Sequence, residues 1–393
     1  MKIAINGCGI GGPTLAWWLK KYGHEPVLFE KAPAPREGGY VIDFWGTGYD
    51  IAEKMGVLPE LKKDAYLIER VQTVTSGGWT TSSMSTKGFR DLTNGRYMSI
   101  ARSDLARHLL NACGSIETHF GTSVIGVEDQ GGEVSVQLSD GTEQDFDLVI
   151  GADGLHSKVR ELAFGSQEQF EKHIGFYVAA YVLDGYQPRD ELTYITHTKP
   201  GRQIARVALR DDQTLFLLTF TKDLLSQSPV DEASEKAVLR EIYKDMGWEA
   251  DAILSRMDEV RDIYFDRVSQ IRMPDWTKGR VALLGDAAAC ASLLAGEGTG
   301  LAMTEAYILA GELHKTRGDY HVAFKSYQDR LHSYVTQKQD GALSFAGFFA
   351  PKNWFWLVVR DISLNLTSVP YLGKQLLASS FKSDLHLPDY SAA

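Results

Sequence analysis

The 393-residue sequence contains few cysteines and no excess of basic residues. Its three cysteines, Cys8, Cys113 and Cys290, are scattered and fit neither a disulfide framework nor a metal-ligand spacing. We therefore expect a protein of a reducing compartment, without a metal site. The net charge of −10 at pH 7 argues against nucleic-acid partners, because a protein that binds phosphate backbones needs a basic face.

A long uninterrupted apolar run is also missing. The stretch 353–372 is the most apolar, but Arg360, Asp361 and Pro370 interrupt it, whereas a membrane span needs about 20 apolar residues. We predict that it forms an amphipathic helix packed on the body of the protein. The first predicted strand begins at residue 2 and leaves no room for a signal peptide, so we expect a cytoplasmic protein.

The first thirty residues carry the strongest motif. An apolar strand, Lys2 to Asn6, runs into Gly7-x-Gly9-x-x-Gly12, and a helix and a second strand that ends on Glu30 follow. In such a loop the first glycine permits a tight turn, the second lets backbone N–H groups approach a pyrophosphate, and the third lets the helix pack on the strand. Glu30, 23 residues after Gly7, is placed to bind an unphosphorylated adenosine ribose. This predicts a dinucleotide site, with FAD and NAD both possible.

Similar units recur along the chain. A helix over 105–112 follows Arg102, an apolar strand over 146–150 runs into Gly151-Ala152-Asp153-Gly154, and a strand over 279–284 precedes Gly285-Asp286. A glycine-rich turn, 296–300, then leads into a helix over 301–315. Between these units, 174–221 alternates with period 2 and predicts an antiparallel sheet. Two distant strand–glycine–helix units indicate one long ligand held from two sides.

The predicted fold class is α/β, with a Rossmann-like FAD-binding domain, an inserted antiparallel-sheet substrate domain and C-terminal helices. The expected divisions are the FAD-binding domain in three parts (1–70, 99–165 and 276–340), the substrate domain in two (71–98 and 166–275) and a C-terminal helical segment (341–393).

Four motifs in this order resemble the FAD-dependent aromatic hydroxylases of the para-hydroxybenzoate hydroxylase type. They are the first glycine loop with Glu30, Arg102 before its helix, Asp153-Gly154-x-x-Ser157-x-x-Arg160, and Gly285-Asp286 with Gly296-x-Gly298. Within that family, 276–286 and 305–313 are similar to the flavin-dependent tetracycline-inactivating monooxygenases. The resemblance covers almost the whole chain.

The resemblance implies roles for individual residues. Gly7, Gly9 and Gly12 would cradle the FAD pyrophosphate, Glu30 would bind the adenosine ribose, and Asp286 the ribityl and pyrophosphate region. For the motif at 153–160 it implies contact with FAD and the nicotinamide cofactor, the alternative being a strand end that caps its helix. The full set of expected FAD contacts is Gly7, Gly9, Ile10, Gly11, Gly12, Glu30, Lys31, Arg36, Arg102, Asp153, Gly154, Arg160, Gly285, Asp286, Gly296, Gly298, Thr299 and Gly300.

The resemblance further implies that NADPH or NADH reduces the flavin, which then activates O₂ to oxygenate an electron-rich carbon of an aromatic or polycyclic small molecule. No side chain is assigned to proton transfer. Ala289 and Leu293 stand where the family usually has histidine and proline, and Gly300 replaces a common asparagine. These departures leave open a second function, a flavin oxidase or reductase without oxygen transfer.

The substrate pocket is expected between the inserted sheet and the flavin, with an apolar, aromatic lining. The residues predicted to bind substrate are Tyr181, Arg206, Phe216 and Phe348. The nicotinamide cofactor has no second glycine fingerprint, so we expect it to bind transiently, and we expect a monomer or a homodimer.

Overall fold

A computed structural model of the chain describes residues 1–35, 40–260, 263–292, 296–367 and 385–391, with the side chains of 344–346 and 348 left out. The strands are β1 (Lys2–Asn6), β2 (Glu25–Glu30), β3 (Val41–Trp45), β4 (Ala65–Tyr66), β5 (Arg70–Val74), β6 (Thr80–Ser85), β7 (Tyr97–Ala101), β8 (Glu117–Phe120), β9 (Val124–Asp129), β10 (Val134–Leu138), β11 (Glu143–Phe146), β12 (Leu148–Gly151), β13 (Glu171–Asp184), β14 (Thr193–Lys199), β15 (Arg202–Ala208), β16 (Gln213–Thr221), β17 (Tyr264–Ile271), β18 (Thr277–Lys278) and β19 (Val281–Leu283). The helices are α1 (Gly11–Lys21), α2 (Gly46–Met55), α3 (Leu58–Lys63), α4 (Lys87–Leu92), α5 (Arg102–Cys113), α6 (Lys158–Ala163), α7 (Glu232–Tyr243), α8 (Ala250–Ser255), α9 (Asp286–Ala289), α10 (Gly298–Lys315), α11 (Tyr320–Phe349) and α12 (Trp354–Thr367).

The first strand lies near the centre of a six-stranded sheet with the order β18-β19-β12-β1-β2-β8. Ile3, Ala4 and Ile5 are fully buried, as is typical of a parallel strand that is covered on both faces. β1 pairs in parallel with β2 and β12, and β12 pairs in parallel with β19. Strands from the beginning, the middle and the end of the sequence therefore share one sheet, and their carboxyl ends meet at one edge.

The second large sheet has seven strands in the order β17-β13-β16-β15-β14-β5-β6. Its pairs are antiparallel except β14 and β5, which run in parallel. α7 and α8 cover one face, where Leu239 and Ile253 pack on Phe216 and Leu218. On the opposite face, Val182, Tyr194 and Leu217 pack toward Val41 and Tyr66, which belong to the small sheet β3-β7-β4. This sheet thus has a helix-covered face and an inner face.

The C-terminal part is helical. α12 is amphipathic and turns Leu357, Arg360 and Asp361 inward, and Asp361 Oδ2 accepts a hydrogen bond of 2.8 Å from the Thr81 hydroxyl on β6. None of the helices in the described ranges is long and apolar enough to cross a membrane. The predicted fold class is confirmed, including the Rossmann-like sheet, the inserted sheet and the C-terminal helices.

Candidate active site

In the glycine loop after β1, packing requires some of the glycines, while another leaves room for a ligand. A Cβ on Gly12 would lie 1.9 Å from the Gly7 carbonyl oxygen, so this helix-to-strand contact requires glycine. A Cβ on Gly11 would lie 2.3 Å from Leu284 Cδ1. At Gly9, by contrast, the only described atom within 4 Å of an added Cβ is Arg102 Nη2, at 3.9 Å. Protein packing does not require glycine at position 9, and the open space there faces a guanidinium.

The Glu30 carboxylate lies beside this glycine loop and accepts backbone hydrogen bonds. Its Oε2 accepts a hydrogen bond of 2.9 Å from the Cys8 N–H, and its Oε1 accepts one of 3.0 Å from the Ala32 N–H. A carboxylate oxygen can accept more than one hydrogen bond, so both oxygens retain capacity for ribose hydroxyls. The carboxylate therefore orders the loop and still offers acceptors to a ligand.

Arg102 is the first residue of α5, and its backbone N–H donates to the Tyr40 carbonyl at 3.0 Å. Within the described part of the chain, its guanidinium forms no hydrogen bond or ion pair. The half-buried cation beside Gly9 is therefore available to an anionic group such as a diphosphate. The N-terminus of α1 follows Gly9 and Ile10 directly in the sequence, and its dipole favours negative charge.

The second glycine unit lies beside the first. Gly285 has a φ of +62° and turns the chain from β19 into Asp286, and a Cβ on Gly298 would lie 3.6 Å from Asp286 Oδ1. The Asp286 carboxylate is thus close to the N-terminus of α10. The same helix end, with Gly300 and Leu301, lines a cleft whose other walls are formed by Asp43, Phe44, Trp45, Gly46, Thr47, Gly296, Glu297, Tyr334 and Lys338.

Comparison with known proteins agrees with this geometry. A family model described as an FAD binding domain matches residues 1–339. The chain belongs to this FAD-binding family. It is 37% identical to a flavin-dependent monooxygenase from an unknown prokaryotic organism over 394 residues, which cover 99% of each chain. It is 35% identical to a flavin-dependent monooxygenase of Legionella longbeachae, over all of this chain and 99% of the relative.

The structure is also similar to that of the tetracycline destructase Tet(55), with a TM-score of 0.84 and 30% identity over 99% of this chain and 98% of that one. The chain is therefore an FAD-dependent monooxygenase. The expected resemblance to flavin monooxygenases is confirmed. The open space at Gly9, the available Arg102 guanidinium and the Glu30 carboxylate fit the diphosphate and ribose of FAD.

The motif at 153–160 makes packing and capping contacts within the protein. Arg160 is fully buried, its Nη1 donates to the Ala287 carbonyl at 3.0 Å, and its Nη2 donates to the Leu155 carbonyl at 2.7 Å. These contacts show that Arg160 holds α9 in place, and its direct contact with FAD stays a prediction. Asp153 accepts from the Ser157 hydroxyl and from the Lys158 N–H, so it caps α6. FAD contact by Asp153 and Gly154 stays a prediction.

The remaining cofactor predictions fall into three groups. Ile10 is buried under the glycine loop, and Lys31 is exposed just after Glu30. Gly296, Gly298, Thr299 and Gly300 lie at least partly exposed at the start of α10. Arg36 and Leu293 lie outside the described residues. No observation here tests direct contact between these residues and FAD, so each contact stays a prediction.

Three of the residues predicted to bind substrate lie in a packed core, and their predicted role stays untested. Tyr181, Phe216 and Arg206 stand opposite one another on β13, β16 and β15 and belong to the helix-covered face of the seven-stranded sheet. Arg206 is 2% exposed and forms ion pairs with Glu249 at 2.7 Å and Asp190 at 2.6 Å. Their neighbours in sequence, such as Ala180, Val182 and Leu215, face the opposite side of the sheet. The Phe348 side chain lies outside the described residues, so its predicted role remains untested.

The inner face presents residues that the sequence analysis did not select. The rings of Tyr40 and Tyr264 lie 6.3 Å apart. Burial raises the pKa of both hydroxyls, and both lie within electrostatic range of Arg102 and Asp286. These tyrosines therefore lie where the seven-stranded sheet approaches Arg102 and Asp286. Their positions, at a loop end and at a strand start, carried no motif that could have identified them.

Cys290 follows α9, close to the expected flavin site. It is 5% exposed, and burial is the main cause that raises the pKa of its thiol well above the usual range, with Asp286 adding to it. A thiol in this environment stays protonated and unreactive. Its environment supports a packing role.

Replacing Glu30 by alanine is expected to weaken FAD binding about tenfold or more, because hydrogen bonds to a charged group contribute roughly 1.5–3 kcal/mol. Titration of the apoprotein with FAD, followed by quenching of flavin fluorescence, measures the dissociation constant. Glu25→Ala is the matched control, since Glu25 is an exposed acid at the start of the same strand. Equal dissociation constants for the two variants would contradict the role of Glu30.

Proposed function

We propose that the enzyme uses NADPH or NADH and O₂ to hydroxylate an aromatic or polycyclic small molecule. The observation that carries the proposal is the apolar, aromatic inner face of the seven-stranded sheet, which brings Tyr264 of β17 within electrostatic range of Asp286 in the second glycine unit. Tyr194, Val182 and Leu217 contribute to that face. Such a lining suits a ring substrate and keeps water away from the flavin. The name of Tet(55), a tetracycline destructase, supports a polycyclic substrate.

In this proposal the protein binds and orients, and the cofactor supplies the redox chemistry. Bound FAD, once reduced, supplies the electrons that activate O₂. Arg102 and the loop around Gly9 would hold the diphosphate, and Glu30 would hold the adenosine ribose. The N-terminus of α10, an 18-residue helix with no side-chain cap among the described residues, would favour negative charge on the flavin. Asp286 would fix the ribityl chain beside it.

The nicotinamide cofactor is proposed as a transient co-substrate. Only one glycine fingerprint with a following acid stands in the sequence, and FAD accounts for it. NADPH or NADH would therefore bind in an open groove and leave after reducing the flavin. A cytoplasmic location and a monomeric or homodimeric state stay predictions.

A second function, oxidation or reduction of a small molecule without oxygen transfer, is favoured by one observation. Ala289, which stands where the family usually has histidine, is 5% exposed and carries no polar group that could face the flavin. Oxygen transfer would then depend on the shape and dryness of the pocket alone.

Turnover with isotopically labelled O₂ separates the two functions. We expect NAD(P)H consumption coupled to a product that contains one labelled oxygen atom, for at least one member of a panel of phenols and tetracyclines. Mass spectrometry detects the product, and a peroxidase assay detects H₂O₂. Quantitative H₂O₂ without any labelled product across the panel would contradict oxygen transfer and support the oxidase function.

A further inference from the structure

Residues 290–292 lead from α9 toward the glycine-rich turn 296–300. Ala291 and Ser292 are 1% and 3% exposed, so this segment is packed inside the protein. Ser292 has a φ of +126°, a backbone conformation that residues other than glycine rarely adopt, so surrounding contacts must hold it there. Proline, which would restrict the backbone by itself, is absent from this loop, and Leu293 stands where the family usually has one. The shape of the segment therefore depends on its contacts with other elements.

Two buried glutamines hold this segment from two sides. Gln339, on α11, donates through Nε2 to the Cys290 carbonyl at 3.1 Å and to the Ile271 carbonyl at 2.6 Å. Gln270, on β17, donates through Nε2 to the Ala291 carbonyl at 2.8 Å and to the Gln339 carbonyl at 2.6 Å. Gln270 is 0% exposed and Gln339 is 4% exposed. Each amide thus uses both of its N–H donors on backbone carbonyls.

The chemistry of these contacts requires an amide in each position. A carboxylate would place oxygens against carbonyl oxygens, and an amide with its oxygen and nitrogen exchanged would do the same. Removing the donors would leave buried carbonyls with fewer partners, which is costly. Arg272 supports the arrangement, because its Nε donates to Gln270 Oε1 at 2.9 Å and its Nη2 pairs with Asp340 at 2.7 Å. The hydrogen bonds therefore fix the orientation of the two buried amides.

Gln270 connects the seven-stranded sheet to the expected flavin site. It follows Val268 by two residues on β17, so both side chains lie on the inner face of that sheet. The next residue of the strand, Ile271, donates through its N–H to the Cys290 carbonyl at 3.2 Å. Cys290 comes four residues after Asp286, a predicted FAD contact. The distance between the inner face and the turn that carries Asp286 therefore depends on how this segment is held.

We propose that Gln270 and Gln339 are positioning residues that hold the backbone of 290–291 and so set the distance between the flavin and a ring substrate on the inner face. The inference rests on the proposed function, because oxygen transfer requires the reacting groups to lie close together in a fixed orientation. A loosely held segment would separate reduction from transfer. NAD(P)H, a proton and O₂ would then give NAD(P)⁺ and H₂O₂, and the substrate would leave unchanged.

The test compares Gln270→Met and Gln339→Met with the wild type, all loaded with FAD, since methionine is similar in length but has no donor. Hydrogen–deuterium exchange of the peptide that spans 287–292 is expected to become about fivefold faster, the factor for loss of one net hydrogen bond. The visible absorption spectrum of the bound flavin is expected to change, because its surroundings move. For any phenol or tetracycline that the wild type oxygenates, the share of NAD(P)H that yields H₂O₂ should rise roughly twofold or more.

Gln328→Met is the matched control, because Gln328 lies on the same helix and also bonds to backbone groups, the Pro274 carbonyl and the Trp276 N–H, both at 2.9 Å. It is expected to change neither the exchange of 287–292 nor the flavin spectrum. Arg272→Met, at a partly exposed position, is expected to loosen Gln270 with a smaller effect, and it provides a further measurement if the buried variants do not fold.

Equal changes in Gln328→Met would overturn the inference, because loss of stability alone would then explain them. Wild-type exchange in the test variants would overturn it as well, and so would faster exchange with an unchanged flavin spectrum. Both measurements are made without turnover. A wild-type enzyme that forms H₂O₂ and no labelled product would therefore overturn the proposed function alone.

Discussion

Gly9→Val is expected to yield a folded, colourless protein that binds FAD about 100-fold more weakly or not at all. Among the described atoms, an added Cβ at this position has only Arg102 Nη2 within 4 Å, at 3.9 Å, so packing in the described part of the chain leaves room for it. The methyl groups of valine would instead fill the space through which a diphosphate approaches the backbone and Arg102. Fluorescence titration with FAD measures the loss, and circular dichroism of the apoproteins verifies the fold.

Gly132→Val provides the control, because Gly132 lies in the turn between β9 and β10 and an added Cβ there meets nothing within 4 Å. It is expected to retain yellow colour and wild-type affinity. A yellow Gly9→Val protein with full FAD content would place the diphosphate elsewhere. An unfolded one would show that Gly9 serves packing after all.

The Rossmann-like part of the fold could be predicted because its signals are local. β1 occupies the predicted residues, and α10 begins at Gly298, three residues before the predicted start of that helix. Close backbone approach at Gly12 and the acid at the end of β2 are encoded within one strand–helix–strand unit. The sequence also showed that a second glycine unit exists, since a strand, a glycine turn and a helix follow one another there.

The substrate side could not be predicted in the same way. Period 2 shows that Tyr181 and Leu183 share a face, but not whether that face meets helices or the cofactor. Both faces of the inserted sheet are buried, so Leu215, Phe216 and Leu217 are all apolar. Only the packing of α7 and α8 on one face decides the orientation.

Glu305 is a buried acid beside the turn that leads into Asp286. This residue of α10 is 1% exposed, its Oε2 accepts a hydrogen bond from the Gly285 N–H, and its Oε1 has no partner within the described ranges. The Tyr327 hydroxyl donates to the Leu283 carbonyl at 3.0 Å. The same hydroxyl oxygen lies 3.4 Å from Glu305 Oε2. Burial, and to a smaller extent the charge of Asp286, raises the pKa of Glu305 from 4.5 to about 8. We therefore expect Glu305 to be a neutral acid at neutral pH that supports the turn before Asp286.

The direction of the pH dependence follows from proton binding. Between pH 4.5 and about 8 the folded protein holds a proton that the unfolded chain has released, so stability falls as pH rises through this window. The difference between the two pKa values corresponds to about 5 kcal/mol of unfolding free energy at most. Glu305→Gln cannot titrate, and its amide can still accept from the Gly285 N–H. We expect its melting temperature to match that of the wild type near pH 4.5 and to exceed it by several degrees near pH 8.5.

Glu128→Gln, a change at an exposed acid on β9, is expected to show no such pH-dependent gain. The wild type and Glu305→Gln should also differ in FAD affinity at high pH, because an ionised Glu305 would place a buried negative charge beside Asp286. The affinity of the wild type would then decline above about pH 8, near the pKa of Glu305, while that of Glu305→Gln would not. If the FAD affinities of the wild type and Glu305→Gln had parallel pH profiles, Glu305 would be ionised throughout. Its hydrogen bond to the Gly285 N–H would then be that of a buried carboxylate.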